Sequence, residues 1–280
     1  MVQLFTFLSQ LSNAPAHCTF VFDGKDRPTV KRGIKVVHRK PLLYQKSQEL
    51  VKAFGFKIHN AKGDADAELA VMNQLGVVDA ILTRDSDIFP LGAQCVLKVV
   101  PEACTDAKLA VNVYYADVIE QDLKLNQGGL ILYSLLVGND FDKGIEGFGT
   151  VTALAVAQCG LGNTLVTDCK HIDPSQYSGY FRNLKEKISV EVADNTHGLL
   201  RTRESASARR LLDSGFPLPS ALNWFLNPPT SWSDRDSAST LDINISFPRA
   251  HHIPDITQFC IKHIGCSSEQ TLKRCHQKLW

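Results

Sequence analysis

The residues that could do chemistry are carboxylates, gathered in two short clusters. In residues 63–70, Asp64, Asp66 and Glu68 alternate with Gly63, Ala65 and Ala67; in residues 82–89, Asp85 and Asp87 flank Ser86. Carboxylates this close repel one another, and none can be buried unpaired without a large cost. A fold can gather several on one side when a divalent cation neutralises them, and hard oxygen ligands suit Mg2+ or Mn2+. Two further acids extend the set. Asp23 ends the apolar run 18–22, and Asp140 closes the apolar segment 128–140, ahead of the Gly-x-Gly turn 147–149.

The elements that must position these acids are short strands and a helix start. A buried strand over 80–83 puts Asp85 and Asp87 just past its C-terminal end, where open α/β sheets bind ligands. Asp23 takes the same place after the strand 18–22. A helix beginning at Asp64 stacks Glu68 one turn above it and turns Asp66 elsewhere. Acids at a helix start also suit the dipole, so each cluster alone reads equally as a helix cap with a polar loop. Four separate acidic stretches favour one constellation.

The chain has 280 residues, 44% of them apolar, and a formal net charge of +1. That length supports one large domain or a core with an accessory domain. No apolar run approaches the ~18 residues of a membrane span. Residues 1–16 lack a basic segment and are interrupted by Gln3, Ser9, Gln10 and Ser12, the pattern of an amphipathic helix rather than a signal peptide. Eight scattered cysteines suit a reduced intracellular protein better than a disulfide framework. With so small a net charge, nucleic-acid binding would need a local basic patch, and residues 25–40 supply one: Lys25, Arg27, Lys31, Arg32, Lys35, His38, Arg39 and Lys40, offset by Asp26 alone.

Periodicity predicts helices over the first dozen residues, 42–54 and 64–75, with strands at 18–22, 56–59, 80–83 and 95–100. This alternation argues a mainly parallel α/β sheet. After Tyr115 the pattern turns helical, over 116–123, 129–137, 151–158, 180–194, 205–214 and 220–226. Residues 228–239 read as a Pro/Ser/Asp-rich linker, and 254–264 as a last helix.

Read together, the stretches 20–33, 53–70, 76–93, 128–162 and 216–229 resemble the xeroderma pigmentosum group G and flap endonuclease class of structure-specific nucleases, most of all its fungal Holliday-junction-resolvase-like branch. The resemblance implies a PIN-like, mainly parallel sheet with flanking helices, followed by a helix–two-turn–helix arm. It divides the chain into a core at 1–115, a helical region at 116–230, and a linker with C-terminal helix at 231–280. It implies a metal-dependent endonuclease that cuts 5′-flap or junction DNA in repair, in the nucleus. Its partner is branched or flapped double-stranded DNA, with no membrane and no obligate protein partner. Carried over residue by residue, Asp23, Asp64, Asp66, Asp85, Asp87 and Asp140 hold two Mg2+ or Mn2+ ions. Lys31 and Arg32 stand near the scissile phosphate. Lys25, Arg27, Lys143, Gly147, Gly149 and Thr150 touch DNA, with a monovalent cation at the Gly147–Gly149 turn.

The chain departs from the family in several places. The early strand and metal-binding Asp of the family are missing ahead of Met1, so the expectation is a fragment or truncated gene model. Asp64-Ala65-Asp66 stands for Glu-Ala-Glu, one methylene shorter at each acid. Arg84 could compete with a metal for Asp85 or Asp87. Thr150-Val151-Thr152 lacks a phosphate-gripping Lys. These departures motivate an alternative, a catalytically impaired DNA-structure-binding protein on the same fold. A PIN-like ribonuclease is the lesser alternative, disfavoured by the arm. Near the C-terminus, Cys260, His263, Cys266, Cys275 and His276 invite a zinc reading, but their spacing matches no common finger.

Overall fold

The structure, a computed structural model, describes residues 1–27, 30–31, 34–35, 42–105, 108–173, 176–233, 250–265, 267, 269 and 273. Parallel pairing sets out the site. Strand β1 (Thr19–Phe22) runs parallel to β4 (Lys57–Asn60), with Phe20 opposite Ile58 and Phe22 opposite Asn60. Strand β5 (Ile81–Leu82) runs parallel to β6 (Cys95–Val99), and β6 pairs antiparallel with β7 (Val111–Tyr115). A small antiparallel hairpin, β2 (Val30–Lys31) and β3 (Ile34–Lys35), lies inside the basic run. The parallel α/β core expected from the sequence is therefore present, in separate two- and three-stranded pieces.

Two apolar cores hold these elements. One joins helix α1 (Val2–Ser12) and helix α2 (Leu42–Ala53) to α11 (Ile253–Ile264) through Phe5, Leu8, Leu50, Phe54, Ile256 and Phe259. Cys260 is buried in this core, which makes it a packing residue; Cys266, Cys275 and His276 lie outside the described residues. The other core joins α3 (Ala65–Gln74), β5 and β6 to the helical region. That region comprises α4 (Ala116–Leu123), α5 (Gln127–Val137), α6 (Thr150–Gln158), α7 (Leu165–His171), α8 (Tyr177–Asp194), α9 (Ser205–Asp213) and α10 (Pro219–Leu226).

Helix α5 is the axis of the larger core. Ile131, Leu132, Leu135 and Leu136 are fully buried on it, each stabilising by about 1.5–3 kcal/mol relative to exposure. Asn126 caps its start by accepting from Gly129 N at 3.0 Å. Gly138, at φ +103°, ends it. No described helix is long and apolar enough to cross a membrane, and none of the six described cysteines is in a disulfide.

Candidate active site

The loops after β1 and β4 are locked side by side. Beyond the strand ladder, Ala61 N donates to Phe22 O at 2.8 Å and Gly24 N to Gly63 O at 2.7 Å. The contact is close enough that a Cβ on Gly24 would fall 2.0 Å from Ala61 O. Asp23 is thereby set against the start of α3, where its Oδ1 accepts from Ala65 N at 3.1 Å. Its Oδ2 meets Arg27 at 3.3 Å. Asp64 is the N-cap of α3, buried, with Oδ1 accepting from Asp66 N at 3.1 Å.

Thr83 joins this pair to the other cluster. Its hydroxyl donates to Asp66 Oδ1 at 3.4 Å and accepts from Asp85 N at 3.1 Å. Asp85 Oδ1 in turn accepts from Asp87 N at 3.0 Å. A continuous run of contacts thus links Asp23, Asp64, Asp66, Asp85 and Asp87 at the ends of β1 and β5. Lys98 sits behind the second loop, donating to Arg84 O and Asp85 O at 3.3 Å and to Ser86 Oγ at 3.2 Å. Arg84 itself is exposed.

Asp140 is half-buried in the loop that follows α5. Buried Asn139 pins that loop: its Oδ1 accepts from Phe141 N at 2.8 Å and Asp142 N at 3.0 Å, and its Nδ2 donates to Ser134 O. Thr83, Lys98 and Asn139 were not singled out in the sequence. Only Asn139, between Gly138 and Asp140, carried a signal that could have found it, since Asn commonly folds a turn onto its own backbone.

Glu68 has a separate fate. It is fully buried, accepts from His59 Nε2 at 2.7 Å and from Ser231 N at 3.0 Å, and so ties α3 to the segment after α10. Burial pushes its pKa up, but the hydrogen bonds from His59 and Ser231, with the His59 charge, outweigh that and leave it below the ordinary glutamate value. The stretch read as a linker therefore begins as a packed segment: Thr230 is buried, and Pro229 O would lie 2.5 Å from a Cβ on Gly63.

The candidate DNA-contacting residues divide. Lys25, Lys143, Gly147, Gly149 and Thr150 are exposed and Arg27 is partly so. The backbone of Lys31 belongs to β2, while its side chain and all of Arg32 lie outside the described residues. The two glycines of the turn differ. Gly147 needs its residue type: its φ is +92°, and a Cβ would lie 2.4 Å from Ser207 Oγ. Gly149 has ordinary extended backbone (φ −71°, ψ 171°) and open space around it, so the fold itself does not require glycine there. It is the N-cap of α6, whose start has no side-chain cap hydrogen bond; helix starts of this kind are ready anion sites.

The donor set of the acidic edge is all oxygen, which fits a hard divalent cation. Among the described residues, no three of these carboxylates bring oxygens within 4.8 Å of one another. An ion shared by three of them would draw them closer.

Residues 55–140 match the family described as the XPG I-region. That segment runs from the start of β4 through α3, β5 and β6 to Asp140, and so spans most of the acids described above. The flap endonuclease GEN-like 1 of Arabidopsis thaliana is 36% identical over 139 residues, covering 49% of this chain and 23% of that protein. The DNA repair protein rad13 of Schizosaccharomyces pombe is 24% identical over 230 residues, covering 82% of this chain and 19% of that protein. The chain thus spans roughly a fifth of the length of these curated relatives. In fold it matches the eukaryotic junction-resolving enzyme GEN-1 (TM-score 0.76, 24% identity, 99% of this chain and 63% of that one). It also matches the catalytic core of Rad2 (TM-score 0.69, 22% identity, 100% and 87%). The kinship with the group G and flap endonuclease class and the PIN-like fold, both expected from the motifs, are borne out.

Proposed function

We propose that this XPG I-region chain is the core of a metal-dependent endonuclease that cuts branched or flapped double-stranded DNA. The observation that carries the reading is the contact run Asp23–Ala65–Asp66–Thr83–Asp85–Asp87, which gathers like charges at the ends of two parallel pairs. Asp23, Asp64, Asp66, Asp85, Asp87 and Asp140 are the residues to hold Mg2+ or Mn2+, as two ions. Such ions, when bound, supply Lewis-acid activation of water and neutralise charge on a phosphodiester. Structures of junction-resolving GEN1 with product DNA, Mg2+ and Mn2+, on the same fold, support this assignment.

Around the acids, the chain's own groups orient the substrate. Thr83 fixes Asp66 relative to Asp85, and Lys98 steadies the loop that carries Asp85. Lys31 and Arg32 are assigned to offset charge at the scissile phosphate, and Lys25 and Arg27 to contact the DNA. The backbone of Gly147–Thr150 and the start of α6 grip phosphates of the uncut arm with Lys143, beside a monovalent cation. GEN-1, of the same fold, has been seen with potassium and with sodium, which supports a monovalent cation on this chain. Phosphate contacts read shape rather than sequence, so binding is sequence-tolerant and salt-sensitive. Kinship with DNA repair proteins such as rad13 and the mouse excision-repair protein ERCC-5 supports a role in DNA repair, and the nucleus as its place is part of this proposal. The division at 115 and 230 into core, arm and extension is part of this proposal.

A second reading, binding of DNA structure without cleavage, is favoured by Asp64. Its side chain is short, buried and already engaged in capping α3. The test is cleavage of a 5′-flap, a four-way junction, a plain duplex and an RNA strand, in Mg2+ and in EDTA. Cutting of branched DNA above plain duplex, lost in EDTA, is expected. Binding of branched DNA without cutting establishes the second reading, and preferential cutting of RNA overturns both.

A further inference from the structure

Away from the acidic edge, three residues of the helical region converge. Cys159 caps the C-terminal end of α6, Glu191 lies in the last turn of α8, and His197 lies in the loop that follows. Their ligand atoms all lie within 4.8 Å of one another, and among the described residues this is the one such group of His, Cys, Asp or Glu. The arrangement is built. Asn195 closes α8 in the left-handed conformation, and its side chain both accepts from Leu200 N (3.0 Å) and donates to Leu200 O (2.9 Å). The loop so folded returns His197 over Glu191. His197 N donates to Glu191 Oε1 at 3.1 Å, while Nδ1 meets Oε2 at 2.7 Å and Thr196 Oγ1 also bonds Oε2. The Glu191 side chain is 3% exposed and that of His197 54% exposed, so the group has a buried floor and an open mouth.

We propose that Cys159, Glu191 and His197 form a binding site for Zn2+, distinct from the acidic edge. A thiol sulfur, an imidazole nitrogen and a carboxylate oxygen are the ligand types of Zn2+, and three such ligands leave the fourth tetrahedral position to water at the open mouth. The sulfur selects against Mg2+ and Ca2+. Without a cation the thiol is held in its protonated form: burial, then the Glu191 carboxylate, pushes its pKa up to about 12. Binding displaces that proton to solvent and forms an S–metal bond. The imidazole proton moves from Nδ1 to Nε2, and Oε2 exchanges its hydrogen bond to Nδ1 for the ion. Oε1 keeps its bond from His197 N, the kind of supporting contact that orients a ligand. An ion here would clamp the end of α6 to α8. The start of α6 is already tied to α9 through Thr152 Oγ1 and Glu204 at 3.3 Å. Both ends of the helix that begins at the Gly147–Gly149 turn would then be fixed.

The test uses the full chain, stripped with EDTA and titrated with Co2+ in place of Zn2+, with no DNA present. Expected are the intense visible bands of tetrahedral Co2+ and a sulfur-to-cobalt charge-transfer band, saturating at one equivalent and bleached by Zn2+. Cys159→Ser removes the charge-transfer band. His197→Gln, which keeps an amide donor beside the buried Glu191 carboxylate, weakens Co2+ binding by about tenfold or more. A missing charge-transfer band in the wild-type chain overturns the proposal. So does a band that persists unchanged in both variants, because it would then arise from other cysteines.

Discussion

Asp66 and Glu68 stand two residues apart on α3, yet the fold treats them in opposite ways. Glu68 is fully buried and closes on His59 and on the backbone of Ser231; its charge is answered inside the protein. Asp66 is half-buried and meets Thr83, in a row with Asp64, Asp85 and Asp87. The helix period separates them: two residues turn a side chain by about 200°, away from the interior tie and toward the edge. A glutamate that completes its own contacts is a staple. A row of aspartates at one edge, held by backbone N–H groups and a hydroxyl, offers oxygen ligands of the kind a hard divalent cation takes.

The contrast breaks most visibly in activity. Asp87→Ala should lower Mg2+-dependent cleavage of flap DNA by more than the ~100-fold that loss of a ligand's mere partner costs. Thermal unfolding in EDTA should stay unchanged or shift upward, because one like charge has gone. Glu68→Ala should do the reverse to the fold. Removing one member of a buried pair costs about 3–5 kcal/mol, which calorimetry would read as a drop in Tm of roughly 2–4 °C per kcal/mol.

Acid sharpens the same comparison. The pKa of Glu68 is lower in the folded chain than unfolded. Its stabilisation is therefore complete above the unfolded glutamate value of about 4.3 and is lost as pH falls through the lower folded value. Urea titrations at pH 6 and pH 3.5 should show wild-type stability falling with pH, and Glu68→Gln should flatten that slope.

A smaller effect separates the two glycines of the turn. Gly147→Ala forces a Cβ against Ser207 at positive φ and should destabilise by about 1–3 kcal/mol. Gly149→Val, in ordinary backbone with open space, should cost only the N-cap preference of that position, about 1 kcal/mol or less. Its main effect should appear against phosphate, as a several-fold loss of affinity for branched and plain duplex alike, measured across a salt titration. Equal affinity at every salt concentration would remove Gly149 from the DNA face.

Much of this was legible in the chain. The apolar run before Asp23 marked β1, the Asp64 cap marked α3, and the stripe through Ile131 and Leu135 marked α5 within two residues of its observed start. Strand β7 was missed because four of its five positions are exposed, which leaves no alternation to read. Helix α7 was missed because it has seven residues, fewer than two full turns of pattern. The residues that complete the sites are invisible for another reason. Thr83 matters through Asp66, 17 positions away, and Ser231 through Glu68, 163 positions away. His197 acquires partners only because Asn195 turns the loop back. Such contacts depend on the folded path, not on local spacing.

The central claim is that the aspartates of the acidic edge act together as one divalent-metal centre. Mn2+ binding to the EDTA-treated chain, followed by electron paramagnetic resonance of the free ion without DNA, tests it most directly. The account predicts saturable Mn2+ binding that falls by at least about tenfold in Asp66→Asn and again in Asp87→Asn, with Glu68→Gln left near wild type. Mn2+ affinity unchanged in both aspartate variants would contradict it.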